Sequence, residues 1–399
     1  MTPTNVLDNV HVIDLTQALA GPYCTMMLGD MGADVIKVEL PGSGDQSRAW
    51  GPPFVAGEST YFLSVNRNKR SLTLNLKTPE GRAILHRLAS RADIVIHSTP
   101  RASSQRDTGI DAATLAVLNA RLIYASITGY GASGPFSERP GYDMVAQAES
   151  GLMSITGEPD GEAMRLGIPL ADMTTGMVAT LGILGALLTR EKTGCGQVLD
   201  LSLLESQAAY LAIPASAYLN AGQAPKRLGN THPNIVPYQI FGTRDKYISV
   251  AVGTQRLWEL FCQTLGVADT IMKDRRFTDN PGRLAHRQEL VALLQNVLMQ
   301  KDAETWLEAF REAQIPSGPI NSVPDALNHP QLIERGFIVP LQHPKTGSVR
   351  SLANPVHFSE TPVSYRLPPP MLGEHTLTIL EEMGCTHEEI AQLRETGAI

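Results

Sequence analysis

Asp172 lies in PLADMTTG, between an apolar stretch and a predicted helix start. Two readings fit that place. Aspartate commonly caps a helix. A carboxylate at a helix N-terminus is also held ionised by the dipole and the free N–H groups, which can polarise a carbonyl beside it. An ionised carboxylate is a weak nucleophile, but it needs no general base near neutral pH. Tyr142 and Asp143, in RPGYD, precede another predicted helix and read as a turn followed by a cap. His232, in LGNTHPNIVPY, is either an exposed loop side chain or a gate against an acyl carboxylate. Arg67, Lys69 and Arg70, in NRNKRS, form either a solvated basic turn or a seat for an anion such as phosphate.

Other chemistries are excluded by missing patterns. The turn after the first predicted strand holds Ala20-Gly21-Pro22 where a dinucleotide site wants GxGxxG, although Glu39 ends the next strand. The chain has no GxxxxGK[ST], no GxSxG and no HExxH. Its four cysteines, Cys24, Cys195, Cys262 and Cys385, are far apart, which argues against a zinc cluster or disulfide framework and for a reducing compartment. No metal site is expected.

The elements that must carry these residues alternate. Apolar runs at 10–16, 33–39, 71–77, 92–98, 121–130 and 195–203 read as strands. A helix opens near Pro22, and another spans 78–91 with Thr78 as its cap and Pro79 as its first residue. Strands alternating with helices predict an α/β fold, with a doubly wound parallel sheet covered on both faces. The segment 172–190 is apolar around most of its circumference and is expected to be buried. Residues 221–237 break the pattern as a linker or active-site loop. A strand at 247–253 and helices near 255–265, 283–299 and 303–313 then suggest a smaller domain at about 225–325.

At 399 residues the chain has room for two to three domains. Its 33 basic against 40 acidic residues argue against a nucleic-acid partner. Charged residues are 18% of the chain, below the usual quarter or so, which suggests surface buried between subunits. The N-terminus has no basic segment before Lys37, and the longest apolar run, Met177–Leu188, is short for a bilayer. No membrane span and a cytoplasmic location are the expectations.

Five blocks together resemble a known family. VIDLTQALAGPYCTMMLGDMGADVIKVE, NRNKRSLTLNLKTPEG, GYDMVAQAESGLMSITG, PLADMTTG and PPPMLGEHT are similar, in this order, to the class III CoA-transferases (CaiB/BaiF). The resemblance implies an interlocked homodimer. It implies a large Rossmann-like domain built from both chain ends, 1–224 and 326–399, and a small α+β domain at 225–325. It implies coenzyme A thioester as substrate, with no permanently bound cofactor, and a carboxylic acid as second substrate. The family's catalytic aspartate falls on Asp172, which would pass through an acyl anhydride and an aspartyl-CoA thioester. Its CoA contacts fall on Leu19 and Ala20, on Leu74, Asn75, Leu76 and Lys77 in a strand lining the CoA, on Ser98 and Thr99, and on Arg106, Arg139, Tyr142 and Asp143.

The chain also departs from the family. Ser98-Thr99-Pro100-Arg101-Ala102 replaces an NFRPG-like run, and Leu40 stands where some members have a basic residue. Racemases of the same fold carry a second base, a histidine, where this chain has Tyr142, and a neutral phenol is a poor base near pH 7. A racemase and a CoA binder without turnover stay as alternatives. GNTHPNIVPYQIF at 229–241 is similar to the succinyl-CoA:dicarboxylate branch, with Asn230 and His232 as substrate contacts. The acceptor implied is glutarate, itaconate, citramalate or malate.

Overall fold

The computed structural model describes residues 5–399, so the first four residues of the segment read for a leader lie outside the described residues. Six short strands form one parallel sheet. They are β1 (His11–Leu15), β2 (Asp34–Glu39), β3 (Lys69–Thr73), β4 (Ile94–His97), β5 (Ile123–Thr128) and β6 (Val198–Ser202). Their order is β3-β2-β1-β4-β5-β6, with every neighbouring pair parallel. Successive side chains point to opposite faces, so an apolar run in such a strand serves two cores. Val12, Val35, Ile94, Ile96 and Ile123 face one core, with Cys24 and Leu28 of helix α1 (Ala20–Asp30). Ile13, Val38, Leu72 and Val95 face the other, with Ile84 and Leu85 of α2 (Pro79–Ala89). The chain's last two helices, Thr376–Glu382 and His387–Glu395, add Ile379, Leu380, Ile390 and Leu393 to that second core.

Where 71–77 is predicted as strand, the ladder stops at Thr73. Thr73 pairs with Glu39, the last residue of β2, so nothing remains beyond it to bond a longer strand. Leu74 still donates to the Glu39 carbonyl, but Asn75 donates to Ala398 and Thr78 folds back onto Asn75. Leu74–Lys77 are therefore a turn into α2, not a strand. Thr78 caps α2 by accepting the Gly81 amide at 3.0 Å, with Pro79 next to it. Thr78→Ala is expected to destabilise by about 1 kcal/mol, lowering the urea midpoint without changing the slope.

Helix α3 spans Asp143–Glu149, and α4 spans Leu170–Thr193, 24 residues. The expectation that this apolar helix is buried all round is corrected here. Ala171, Thr175, Ala179, Ile183 and Ala186 are buried. Leu181 and Leu188, on the opposite side, are 70% and 68% exposed, because α1 and the sheet cover only one face. By length and composition α4 is also long and apolar enough to cross a membrane, unlike the shorter run picked out in the sequence. It is the one such helix among the described residues.

Packing divides the chain into two units. The first comprises the chain up to Leu152, Arg165–Gln223 and Gln331–Ile399; the second comprises Met153–Met164 and Ala224–Pro330. In the second, antiparallel strands Tyr238–Gly242, Tyr247–Ala251 and Ser317–Pro319 carry helices Gln255–Thr264, Arg287–Leu298 and Ala303–Glu312. Trp258, Phe261, Phe277, Trp306 and Phe310 fill its core. The helix expected over 283–299 is split into Asn280–Ala285 and Arg287–Leu298, with His286 off helical geometry between them. Between helix Ala212–Ala221 and strand Tyr238–Gly242 there is no helix or strand.

Candidate active site

The strand order reverses between β1 and β4. Loops leaving these two strands diverge, and in open parallel sheets ligands bind in the crevice this opens at the carboxyl ends. The loop after β1 runs from Thr16 to Leu19 and the loop after β4 begins at Ser98. The Gln17 amide donates to Ser98 Oγ at 3.3 Å, joining them. Leu19, Ala20, Ser98 and Thr99 are thus gathered at the carboxyl ends of the two central strands. The Thr99 amide donates to Nδ1 of His97, a buried ring whose pKa is pushed down to about 4 by burial, so it stays neutral.

Asp172 lies near these loops, through its neighbour Met173. It occupies the first turn of α4, three residues after Pro169 at the cap position, so the capping reading fails. Met173, with Tyr23 and Tyr61, packs against a buried cluster of Leu19, Met26 and Val65, an apolar wall next to the carboxylate. Burial, with the charge of Asp143 added, pushes the Asp172 carboxyl up to about 7. The expectation of a fully ionised group at neutral pH is corrected accordingly: desolvation outweighs the helix dipole. Tyr61 responds in turn. Burial and then the charges of Asp172, Asp143 and Asp45 hold its phenol up to about 12, so it remains a neutral donor.

Asp143 opens α3 but does not cap it. Its Oδ1 accepts the Ala171 amide at 2.7 Å, one of the unpaired donors of the α4 terminus, and its Oδ2 accepts Gln147 Nε2 at 2.7 Å. Gln147 Oε1 accepts the Leu166 amide at 3.0 Å, so α3 grips the approach to Asp172. Four residues after Asp172, at Gly176, a Cβ would stand 2.6 Å from the Ala20 carbonyl oxygen and 3.1 Å from the Tyr23 ring. Only glycine lets α1 and α4 approach this closely.

The other candidates are spread more widely. Leu74 is buried, while Asn75 Oδ1 accepts the Lys77 amide within the turn. Arg106 is exposed on the short helix Ala102–Thr108. Arg139 pairs with Glu149 at 3.0 Å and faces the rings of Tyr130 and Phe136. Tyr142 is 62% exposed. Asn230 and His232 belong to the second unit. There the His232 Nδ1 accepts the Asn234 amide, and Asn230 lines a cavity of about 390 Å³ with Tyr238, Gln239 and Ser249.

The basic run at 67–70 is neither a solvated turn nor an anion seat. Arg67 bonds Asp30 at 2.7 and 2.9 Å, Lys69 reaches Asp14 at 3.1 Å and Asn66 at 2.9 Å, and Arg70 pairs with Asp34 and Glu382. Each charge is consumed inside the fold. Tyr23 and Tyr61 escaped the sequence reading, since a lone aromatic carries no spacing signal. Among the described residues no group of three His, Cys, Asp or Glu side chains is placed to hold a metal ion.

A half-buried carboxylate on a helix turn, beside an apolar wall and near the switch point of a parallel sheet, is equipped for acyl transfer. The CoA-transferase family III model matches residues 7–376. A succinyl-CoA:glutarate CoA-transferase of Mus musculus is 42% identical over 378 residues, covering 94% of this chain and 86% of that protein. A succinate–glutarate CoA-transferase of Agrobacterium fabrum is 42% identical over 383 residues, covering 94% and 95%. The crystal structure of a CaiB/BaiF family protein from Brucella suis superposes with a TM-score of 0.86 at 39% identity, covering 95% of this chain and all of that one. The racemase and non-catalytic alternatives therefore give way. The carboxylate at the α4 terminus belongs to a transferase: this chain is a member of CoA-transferase family III.

Proposed function

We propose that the protein moves CoA from succinyl-CoA to a dicarboxylic acid, glutarate first among them, through Asp172. The observation that carries this reading is the placement of Asp172 in the first turn of α4, with its neighbour Met173 in the same apolar cluster as Leu19 of the switch-point loop. The relatives named above are described as acting on succinate or succinyl-CoA and glutarate.

The steps balance without a proton. An Asp172 oxygen attacks the succinyl thioester carbon; a C–O bond forms, the C–S bond breaks and CoA thiolate leaves. The thiolate then attacks the aspartyl carbon of this anhydride, releasing succinate and leaving an aspartyl-CoA thioester. A glutarate carboxylate attacks that thioester and expels the thiolate again. The thiolate finally attacks the glutaryl carbon, forming glutaryl-CoA and freeing Asp172. Each step exchanges one activated carboxyl for another, so keeping water out preserves the activation.

Leu19, Ala20, Leu74–Lys77, Ser98, Thr99, Arg106, Arg139, Tyr142 and Asp143 are read as the CoA side of the site, and Asn230 and His232 as acid contacts. The same reading carries a homodimer and a cytoplasmic setting. The uncovered apolar side of α4 supports the first, and four free cysteines support the second.

Trapping tests the mechanism. Incubation with succinyl-CoA followed by borohydride or hydroxylamine is expected to mark the peptide containing Asp172. Only the ionised carboxyl attacks, and its pKa is about 7. Adduct formation should therefore rise roughly tenfold from pH 6 to pH 8 and level off above. An unmarked Asp172 in protein that turns over succinyl-CoA would remove the mechanism. A panel of glutarate, itaconate, citramalate and malate then identifies the acceptor.

A further inference from the structure

The loop after β1 does not hold itself. Ala18 stands at φ 67°, a left-handed conformation that an alanine adopts only under constraint. The constraint is a buried ion pair. Lys37 of β2 and Asp45, in the turn beyond it, are both fully enclosed, with Nζ 2.8 Å from Oδ2. Asp45 Oδ1 accepts the Ala18 amide at 3.1 Å, and Lys37 Nζ donates to the Thr16 carbonyl at 3.0 Å. The two charges thus grip the loop at both ends of its sharpest bend. Asp45 is itself anchored, since Oδ1 also takes the Ser47 amide and hydroxyl at 2.9 and 2.7 Å, and its own amide donates to Glu39 at 2.9 Å.

This bend matters because of the two residues next to it. Leu19 belongs to the apolar cluster against which Met173, the neighbour of Asp172, packs. The Ala20 carbonyl stands against Gly176, one turn beyond Asp172. From these contacts we infer that Lys37 and Asp45 are positioning residues for CoA transfer. They fix the left-handed bend at Ala18 and so set where the CoA-facing loop stands relative to the Asp172 carboxylate. The inference rests on the reading that Leu19 and Ala20 touch CoA.

A pair that only stabilised the fold would change how much protein is active, not the KM of the folded fraction. A loop that has lost its bend meets the donor differently. Asp45→Ala is therefore expected to raise the KM for the acyl-CoA donor roughly tenfold. Glycine adopts positive φ freely, so adding Ala18→Gly to Asp45→Ala should recover about threefold or more of that loss. Ala18→Val offers a route that does not disturb the buried pair. A β-branched side chain resists this φ, so the donor KM of the folded fraction should again rise, alongside a lowered thermal transition.

Donor KM values at the wild-type level in both Asp45→Ala and Ala18→Val would overturn the inference. So would an Asp45→Ala, Ala18→Gly double variant no better than Asp45→Ala alone. If Asp45→Ala does not fold, Ala18→Val decides. Trapping of the wild-type protein keeps the two questions apart. A marked Asp172 with unchanged donor KM in the variants sinks only the positioning role; turnover of succinyl-CoA without a mark sinks the Asp172 mechanism instead.

Discussion

Asp172→Asn is expected to lose CoA transfer by roughly 10⁴-fold or more, and to become more stable than the parent above pH 7. The first half comes from chemistry. An amide is not an acyl acceptor of this kind, and no neighbouring group can replace it, because Asp143 is spent on the Ala171 amide and Gln147. The second half comes from linkage. The carboxyl titrates near 7 in the folded protein, against the ordinary aspartate value of 3.8. Between those values the folded state binds more protons than the unfolded one, so stability falls as pH rises through that window. Asparagine does not ionise and escapes the loss. The stability difference between variant and parent should widen from pH 5 to pH 8, reaching on the order of 2–3 kcal/mol. Urea midpoints at both pH values measure it. Parental transfer rates, or a stability gap that ignores pH, would each contradict this account.

The largest loss of stability is expected at Asp14→Ala. Asp14 is fully buried and sits between two lysines. Burial alone would raise its pKa, but Lys69 and Lys37, with Thr16 and Thr25 as donors, hold it far below the usual carboxylate range. Lys69, also fully buried, is pushed down to about 8, first by burial and then against the pull of Asp14 by the nearby Lys37. Removing the carboxylate leaves two like charges in a dry site with Asp45 as the nearest compensation. Breaking one side of such a pair costs about 3–5 kcal/mol. The urea midpoint of the first unit should fall accordingly. Asp14→Ala combined with Lys69→Met should regain part of the loss, since the stranded charge is then gone. An unchanged midpoint in the single variant would mean that water reaches this core.

Local information was enough for much of the molecule. Val12-Ile13 and Ile94-Val95-Ile96 announce strands because both sheet faces are apolar, and Thr78-Pro79 announces a helix start because both residues act within one turn. PLADMTTG by its own residues leaves Asp172 between a cap and a reactive carboxylate, and only the family resemblance singles it out. Long-range electrostatics were illegible. Arg67, Lys69 and Arg70 look like a surface patch until their partners Asp30, Asp14 and Asp34 arrive from 37, 55 and 36 residues away. The ionisation of Asp172 depends on a wall from α1 and Tyr61 and on Asp143, none of them neighbours in sequence. The end of β3 at Thr73 is decided by where β2 runs out, not by its own SLTLNLK alternation.

Under the proposed mechanism, the contact at Gly176 bears on how four bond exchanges would share one carboxylate. With the Ala20 carbonyl against Gly176, one turn from Asp172, α1 and α4 are tightly packed, and a nucleophile at Asp172 would have little travel of its own. In that mechanism a sulfur and two different acyl carbons would each have to arrive at this group and depart from it. The displacement falls to the reagents. The long, freely rotating thiol arm of CoA would then be the shuttle, and the protein its fixed berth. Turnover would then answer to the slack in that arm, and shortened CoA analogues would show it as lost exchange rather than lost acylation.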